Sequence, residues 1–507
     1  MNTMKRYTIV LLTLLAVSAC TDELNQVNPN SLTTVNFWKT QADFESGLAA
    51  SYKVWKDVNN GYWAVRGIEL TNGRGDDSFI RNDVKDLYQL STFTNNATTG
   101  TPASMFTGAY NAIFRANQVI ENLPASELSA DLKTRLTAEA KFLRAVNHFN
   151  LATNFGSVPI ITAVPKTASD AFIAKSPEAD VWAQVITDLK DAAAGLPVSY
   201  DASGVGRATK GSALGYLGKA YVYTKNWPEA ENTFKLLAQP NGQPQSPFTY
   251  DLLTNYEDNF LAGMDNNKES LFEIQIQNVG GTAPWNGENA NESQGVTTAQ
   301  EFAPTEVAGW FEMFPTDKIF NEFEKEKTTD NDFDPRMYAS LVWDYPGATY
   351  YNLPYTSFSN PFNSKARIRK YQNWRNNNEG IWISEINEKV LRYADVLLMY
   401  AETLTMQGRQ AEAYPLMNRI RERAHLADLT VGMSADAMMA EIRHQRMIEF
   451  YREGLRFYDL KRWGLVQQEI TNSDKVGREF YEDKFQYFPI PQNEINTNIK
   501  MVQNDPW

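Results

Sequence analysis

Apolar side chains recur every three or four positions along most of the chain, which is the period of an α-helix with one buried face. Four such stripes lie before residue 200: Phe44, Leu48, Tyr52 and Trp55; Phe106, Ala109, Tyr110, Ile113 and Ile120; Leu132, Leu136, Ala140 and Leu143; and Trp182, Val185, Ile186, Leu189 and Ala193. Thr40, followed three residues later by Asp43, predicts the N-cap of the first helix. The pattern therefore predicts a mostly α-helical protein.

Two segments repeat the spacing of tetratricopeptide helix pairs, in which small residues let two antiparallel helices approach and aromatic residues fill the groove. The first comprises Leu217, Gly218, Tyr221, Ala230 and Phe234, and the looser second comprises Ala401, Gly408, Ala413 and Met417. Short helix pairs cannot bury their apolar faces alone, so we expect the other helices to stack against them.

The pattern changes between about residues 269 and 382. Phe272, Ile274 and Ile276 alternate with polar residues from Glu273 onwards, which predicts a strand with one face in water. The chain then becomes rich in Gly, Asn, Pro and aromatic residues, a composition typical of long binding loops on a rigid scaffold. We thus predict a helical scaffold over about 37–268 and 383–507, joined to a loop-rich portion with a few short strands over about 269–382.

The N-terminal segment resembles a bacterial lipoprotein signal. Lys5 and Arg6 precede a short apolar stretch, and small residues lead to Cys20, the only cysteine of the chain. The resemblance implies removal of residues 1–19 and acylation of Cys20, so that lipid alone anchors the protein and residues 20–36 form a flexible tether. The alternative is a buried free cysteine behind an ordinary secretory signal.

Composition excludes several classes of protein. Lys and Arg number 48 against 61 Asp and Glu, and the formal net charge of −13 opposes binding to nucleic acid. One cysteine cannot form an internal disulfide, and three histidines offer little material for a zinc site. We predict neither a cofactor nor a metal site.

Several motifs from residue 139 to the carboxyl end resemble those of the SusD/RagB family. They are EAKFLRA at 139–145, DPR at 334–336, LRYADVLLMYAE at 391–402, EIRHQR at 441–446, followed by Glu449, Glu453, Arg456 and Asp459, and FPIPQNEI at 488–495. The resemblance implies a surface-exposed lipoprotein of the outer membrane that captures glycans and covers a TonB-dependent, SusC-like transporter. The charged residues from Arg443 to Asp459 stand three and four apart, which predicts a structural ion-pair network along the helix and no binding site.

Neutral sugars present apolar C–H faces and hydroxyl rims, so a glycan site needs exposed aromatic rings flanked by polar side chains. Two regions have this chemistry: the polar segment 71–82, with a tryptophan just before it, and the aromatic loops. The candidate ligand-binding residues are Trp63, Asp76, Asp77, Arg81, Trp285, Trp310, Trp343, Tyr345, Tyr350, Arg369 and Tyr371. Three alternatives stay open: any one tryptophan packs within its loop, Asp76 and Asp77 form a turn or helix cap, and Arg369 and Tyr371 lie on a strand that returns to the core.

The predicted function is non-catalytic glycan capture for the transporter. One alternative is a binder of a different nutrient, such as a peptide, with the same role; another is a glycoside hydrolase. Hydrolysis requires two carboxylates flanking the scissile bond, and adjacent residues such as Asp76 and Asp77 usually point in different directions. The net charge favours neutral glycans unless a local arginine cluster overrides it.

Overall fold

Helices dominate the part of the chain that the computed structural model describes, residues 37–56, 62, 66–67, 73–277, 296–380 and 384–507. The α-helices of the amino-terminal half are α1 (Gln41–Val54), α2 (Lys85–Ser91), α3 (Gly100–Asn122), α4 (Ala130–Phe155), α5 (Glu178–Gly195), α6 (Lys210–Tyr223) and α7 (Trp227–Phe234). Those that follow are α8 (Thr298–Phe302), α9 (Asp317–Phe323), α10 (Pro335–Ser340), α11 (Tyr393–Met406), α12 (Tyr414–Arg423), α13 (Ala435–Glu449), α14 (Arg456–Trp463), α15 (Val466–Thr471) and α16 (Gln492–Thr497). The prediction of a mostly α-helical fold is confirmed.

The first helix begins where the sequence predicts. The side chain of Thr40 accepts a hydrogen bond from the backbone N–H of Asp43, and the Asp43 carboxylate accepts one from the backbone N–H of Thr40 at 2.6 Å. This capping box satisfies N–H groups that have no partner inside the helix. The predicted stripe is buried at Phe44, Leu48 and Trp55, so α1 packs its apolar face inward.

The two tetratricopeptide-like pairs are also present, as α6 with α7 and α11 with α12. A Cβ atom on Gly218 would lie 2.3 Å from the Phe234 ring, so only glycine permits this approach of α6 to α7. The rings of Phe234 and Tyr400 have centroids 6.2 Å apart and join the first pair to the second. The stacked pairs thus share one core.

Within the described ranges the strands are short, and each pairs with one other strand. They are β1 (Ser78–Ile80), β2 (Ser270–Ile274), β3 (Met313–Pro315), β4 (Leu341–Trp343), β5 (Thr349–Tyr350), β6 (Leu353–Pro354), β7 (Ala366–Ile368) and β8 (Glu388–Arg392). The antiparallel pairs are β1–β3, β2–β8, β4–β7 and β5–β6. The predicted strand at Phe272 is therefore confirmed. The prediction that Glu273 faces water is wrong, because Glu273 is buried and accepts a hydrogen bond from Lys389 on β8 at 2.7 Å.

The charged motif of α13 forms ion pairs, but not between neighbouring turns as the spacing predicts. Arg446 binds Asp459 at 2.8 Å and Asp395 of α11 at 2.7 Å. Glu449 binds Arg392 of β8 at 2.9 Å. These groups are almost fully buried, so each ion pair ties α13 to another element, and removing one partner would leave an uncompensated charge in the core.

None of the helices in the described ranges combines the length and apolar character needed to cross a bilayer. Cys20, with the signal and tether predicted around it, lies outside those ranges. Its acylation stays a prediction.

Candidate functional site

A group of aromatic residues lies on the β1–β3 pair and in the segments beside it, and we call it the β1–β3 face: Phe79, Trp310, Phe311, Phe314 and Phe362. Phe79 is paired in register with Phe314, and their rings stack with centroids 5.1 Å apart. Phe362 lies over Phe314 at 4.3 Å and is 39% exposed, whereas Phe314 is fully buried beneath it. The buried ring thus supports an outer layer that water, or a ligand, can reach.

Local backbone constraints hold Trp310 at this face. A Cβ atom on Gly309 would lie 2.0 Å from the Ala303 carbonyl oxygen, so glycine is required there. Phe311 has φ +56°, a left-handed conformation that costs a non-glycine residue about 1 kcal/mol or more. The backbone N–H of Trp310 donates to the Gln300 carbonyl at 2.8 Å. The half-buried indole is thereby positioned before any ligand arrives.

Two arginines lie beside Trp310, one at its backbone carbonyl and one at its indole. Nη1 of Arg81 donates to the Trp310 carbonyl at 2.7 Å, and its Nε donates to Asp83 at 2.5 Å. The guanidinium of Arg66 lies 5.4 Å from the indole centroid and makes two hydrogen bonds to Glu312. The structure therefore brings together two predicted site residues, Arg81 and Trp310, beside accessible aromatic rings. Ring faces with a polar border are the chemistry that a sugar requires.

Trp343 is buried beneath two tyrosines. It is only 6% exposed, with the Tyr338 ring stacked on it at 5.2 Å and the Tyr345 ring at 4.6 Å. The prediction that Trp343 is an exposed platform is therefore wrong, because its ring forms the floor of this group. Tyr345, also predicted, is half-buried and lies on the outer side.

Tyr350 and Tyr371 belong to the core, being 0% and 2% exposed. The Tyr350 hydroxyl donates to the Ile368 carbonyl at 2.9 Å, and the Tyr371 hydroxyl accepts from the backbone N–H of Lys389 at 3.0 Å. Both phenols already have hydrogen-bond partners inside the protein. The prediction that these two residues bind ligand is therefore wrong, because they pack in the core.

Arg369 lies over the ring of Trp374, with its guanidinium carbon 3.5 Å from the ring centroid. Arg375 lies over the same ring at 4.4 Å, and Glu257 binds both guanidinium groups. We call these four residues the Trp374 cluster. Sequence reasoning missed three of its members. Trp374 next to Arg375 in an Asn-rich stretch was an available signal, but nothing local indicates Glu257, which stands 118 positions before Arg375.

The early polar segment is not an open loop, as Asp76 demonstrates. Its carboxylate is fully buried, accepts hydrogen bonds from Arg456 at 2.7 and 2.8 Å, and pairs with Lys318 at 2.6 Å. Burial alone would raise the pKa of Asp76, but Arg456 and Lys318 outweigh it and lower that pKa to about 2. The prediction of a ligand-binding role for Asp76 is therefore wrong.

Asp77 is buried in a different way, because neither of its carboxylate oxygens has a hydrogen-bond partner among the described residues. Burial, and then the neighbouring charge of Asp76, raise the pKa of Asp77 to about 7. The ammonium of the equally buried Lys475 donates instead to the Gly73 and Ser78 carbonyls, at 2.6 Å each. The prediction of a ligand-binding role for Asp77 is therefore also wrong, because its side chain lies in the interior. Neither aspartate is accessible to a glycosidic bond.

Trp63 and Trp285 lie outside the described residues, so their predicted roles remain predictions.

The chain is similar to a group of known proteins in both sequence and fold. Two family profiles match the chain: "SusD family" over residues 268–507, and "Starch-binding associating with outer membrane" over residues 24–222. The SusD-like protein P2 of Formosa agariphila is 26% identical, over 99% of this chain and 100% of the relative. A SusD superfamily protein from Bacteroides vulgatus has a TM-score of 0.85 and 36% identity, over 93% of this chain and 100% of its own. A laminarin-binding SusD-like protein has a TM-score of 0.78 and 26% identity, over 92% of this chain and 100% of its own.

Proposed function

The chain belongs to the SusD family, and from that premise we propose that it captures a glycan at the cell surface and delivers it to a TonB-dependent, SusC-like transporter of the outer membrane. In this proposal acylated Cys20 anchors the protein, residues 20–36 act as a tether, and the helical scaffold docks on the transporter. Movement of the protein over the transporter then releases the glycan to the pore.

The single observation that carries glycan capture is the β1–β3 face. Phe362 and Trp310 offer ring faces to the C–H side of a sugar, while Arg81 and Arg66 border them with planar donors for hydroxyl groups. Phe362 is supported by the buried Phe314, and the backbone hydrogen bond to Gln300 holds Trp310, so binding costs little ordering of the site.

The proposed role requires no chemistry on the glycan. Hydrolysis needs an accessible pair of carboxylates about 5–10 Å apart, and Asp76 and Asp77 are both closed inside the fold. We therefore propose binding and transfer, with the glycan leaving unchanged.

Isothermal calorimetry of the non-acylated protein against laminarin, starch and other polysaccharides tests the proposal. Trp310→Ala should weaken glycan binding about tenfold, because the lost stacking and contact area correspond to ~1.4 kcal/mol of binding free energy. Trp227→Ala is the matched control, because Trp227 is also half-buried but lies on scaffold helix α7. Equal affinity of the two variants would contradict the proposed site.

The alternatives give different results in the same assay. A hydrolase would release shorter sugars, which chromatography of the mixture after incubation detects. A peptide binder would ignore every polysaccharide and bind peptides, and this result would overturn glycan capture while leaving family membership untouched.

A further inference from the structure

The Trp374 cluster has an unusual arrangement of charge. Arg369 and Arg375 both lie over the indole and both bind one carboxylate, that of Glu257, at 3.5 and 2.8 Å. The indole N–H of Trp374 donates to the same carboxylate at 3.2 Å. Two guanidinium groups therefore share one counter-charge, which leaves a local excess of one positive charge on a protein whose net charge is −13.

Much of the hydrogen-bonding capacity of these arginines is unused. A guanidinium has five N–H donors and stays protonated at physiological pH. Among the described residues, the Arg375 side chain makes only the bond from Nη2 to Glu257 and is 50% exposed. Nε of the more deeply buried Arg369 has no partner there at all. A planar donor set with excess positive charge fits a carboxylate or a sulfate, which can accept two parallel N–H bonds.

The surroundings suit a sugar that bears such an anion. The exposed side chain of Asn352 donates to the Arg375 carbonyl and to the Asn377 side chain, at 3.0 Å each, and fixes the backbone beside the arginine. Asn376 and Asn378 are exposed next to it, and their amides can meet sugar hydroxyls. Stacking on the indole holds the guanidinium groups in place, so that little side-chain entropy remains to be lost on binding.

We propose that the Trp374 cluster binds an acidic unit of the captured glycan, through the carboxylate of a uronic acid or through a sulfate ester. This inference rests on the proposed function and names the charge class of the ligand. The β1–β3 face contacts the neutral ring surfaces, and the Trp374 cluster selects chains that carry an anion. The overall negative charge, which by itself favours neutral glycans, is overridden locally by Arg369 and Arg375.

The test compares polymers that differ only in the anion: polygalacturonate with its methyl ester, and dextran sulfate with dextran. Calorimetry or affinity electrophoresis at physiological salt should show at least tenfold tighter binding of the acidic member of one pair, and that pair identifies carboxylate or sulfate as the anion. Arg375→Gln should abolish this preference. Arg409→Gln is the matched control: it removes the same charge from a side chain that is 37% exposed and also bonded to carboxylates.

The inference is overturned if wild-type protein prefers the acidic member in neither pair. It is also overturned if the two variants lose the same affinity, which would indicate a general charge effect. Its failure is distinguishable from failure of glycan capture. Neutral polysaccharide that binds and is weakened by Trp310→Ala leaves the proposed function intact, whereas a protein that binds no polysaccharide contradicts both.

Discussion

The two sides of the β1–β3 pair differ in burial, although both are polar, aromatic and glycine-containing in sequence. On one side Asp76 and the residues before β1 are enclosed by Arg456 and Lys318. On the other, Phe362 lies over Phe314 and is 39% exposed, and Phe311, the residue after the half-buried Trp310, also packs against Phe314. The difference is the depth of burial: Asp76 is fully buried beside its charged partners, whereas Phe362 on the second side is 39% exposed. A polar glycine-rich segment is thus no evidence of an open site until its counter-ions are known.

The largest expected effect concerns the enclosed side. Asp76→Asn leaves Arg456 and Lys318 without their shared buried carboxylate, and we expect a loss of about 3–5 kcal/mol in the free energy of unfolding. Urea unfolding at pH 7 measures this loss. Asp83→Asn is the control, because the Asp83 carboxylate is 63% exposed and its ion pair should contribute less than about 1 kcal/mol. Similar losses in both variants would show that burial is not the cause.

Asp77 should respond in the opposite direction. The pKa of Asp77 in the folded protein is raised from 3.8 to about 7. The protonated carboxyl group therefore makes its full contribution to stability below pH 3.8, and this contribution is lost as pH rises through 7. An asparagine at this position cannot ionise. We therefore expect Asp77→Asn to increase the free energy of unfolding by about 2–4 kcal/mol at pH 8 and to match wild type near pH 4. Unfolding curves at both pH values provide the check, and a variant less stable than wild type at pH 8 would contradict it.

The smallest effect on stability should come from the accessible side. Phe362→Ala removes a ring that is 39% exposed, so the unfolding free energy should change by less than about 1 kcal/mol while glycan affinity falls about fivefold. Phe314→Ala is the matched comparison, because deleting this fully buried ring should cost about 3–5 kcal/mol. Thermal unfolding measures the stability of the two variants, and calorimetry measures their glycan affinity. A large loss of stability in Phe362→Ala would contradict the assignment of Phe362 to ligand contact and of Phe314 to structural support.

Local signals explain what could be predicted of the fold. The cap at Thr40 and the stripe from Phe44 depend on residues within a few positions of each other, and the approach at Gly218 repeats a known spacing. These features need no knowledge of the distant chain, so the helices and helix pairs follow from the sequence.

The site was less predictable because burial depends on partners far along the chain. Asp76 meets Arg456 from 380 positions away, and Glu273 meets Lys389 from 116. Aromatic residues add a second ambiguity, since large rings stabilise cores and binding surfaces alike. Tyr350 and Trp310 are therefore indistinguishable by composition, and only the packing separates them.

The most direct measurement of the central claim is an experimental structure of the protein with a polysaccharide found by the calorimetric screen. We expect a sugar ring within about 4.5 Å of the Phe362 or Trp310 ring, with the segment around Asp76 still enclosed. A glycan bound elsewhere with both rings uncovered, or bound to an opened Asp76 segment, would contradict the account.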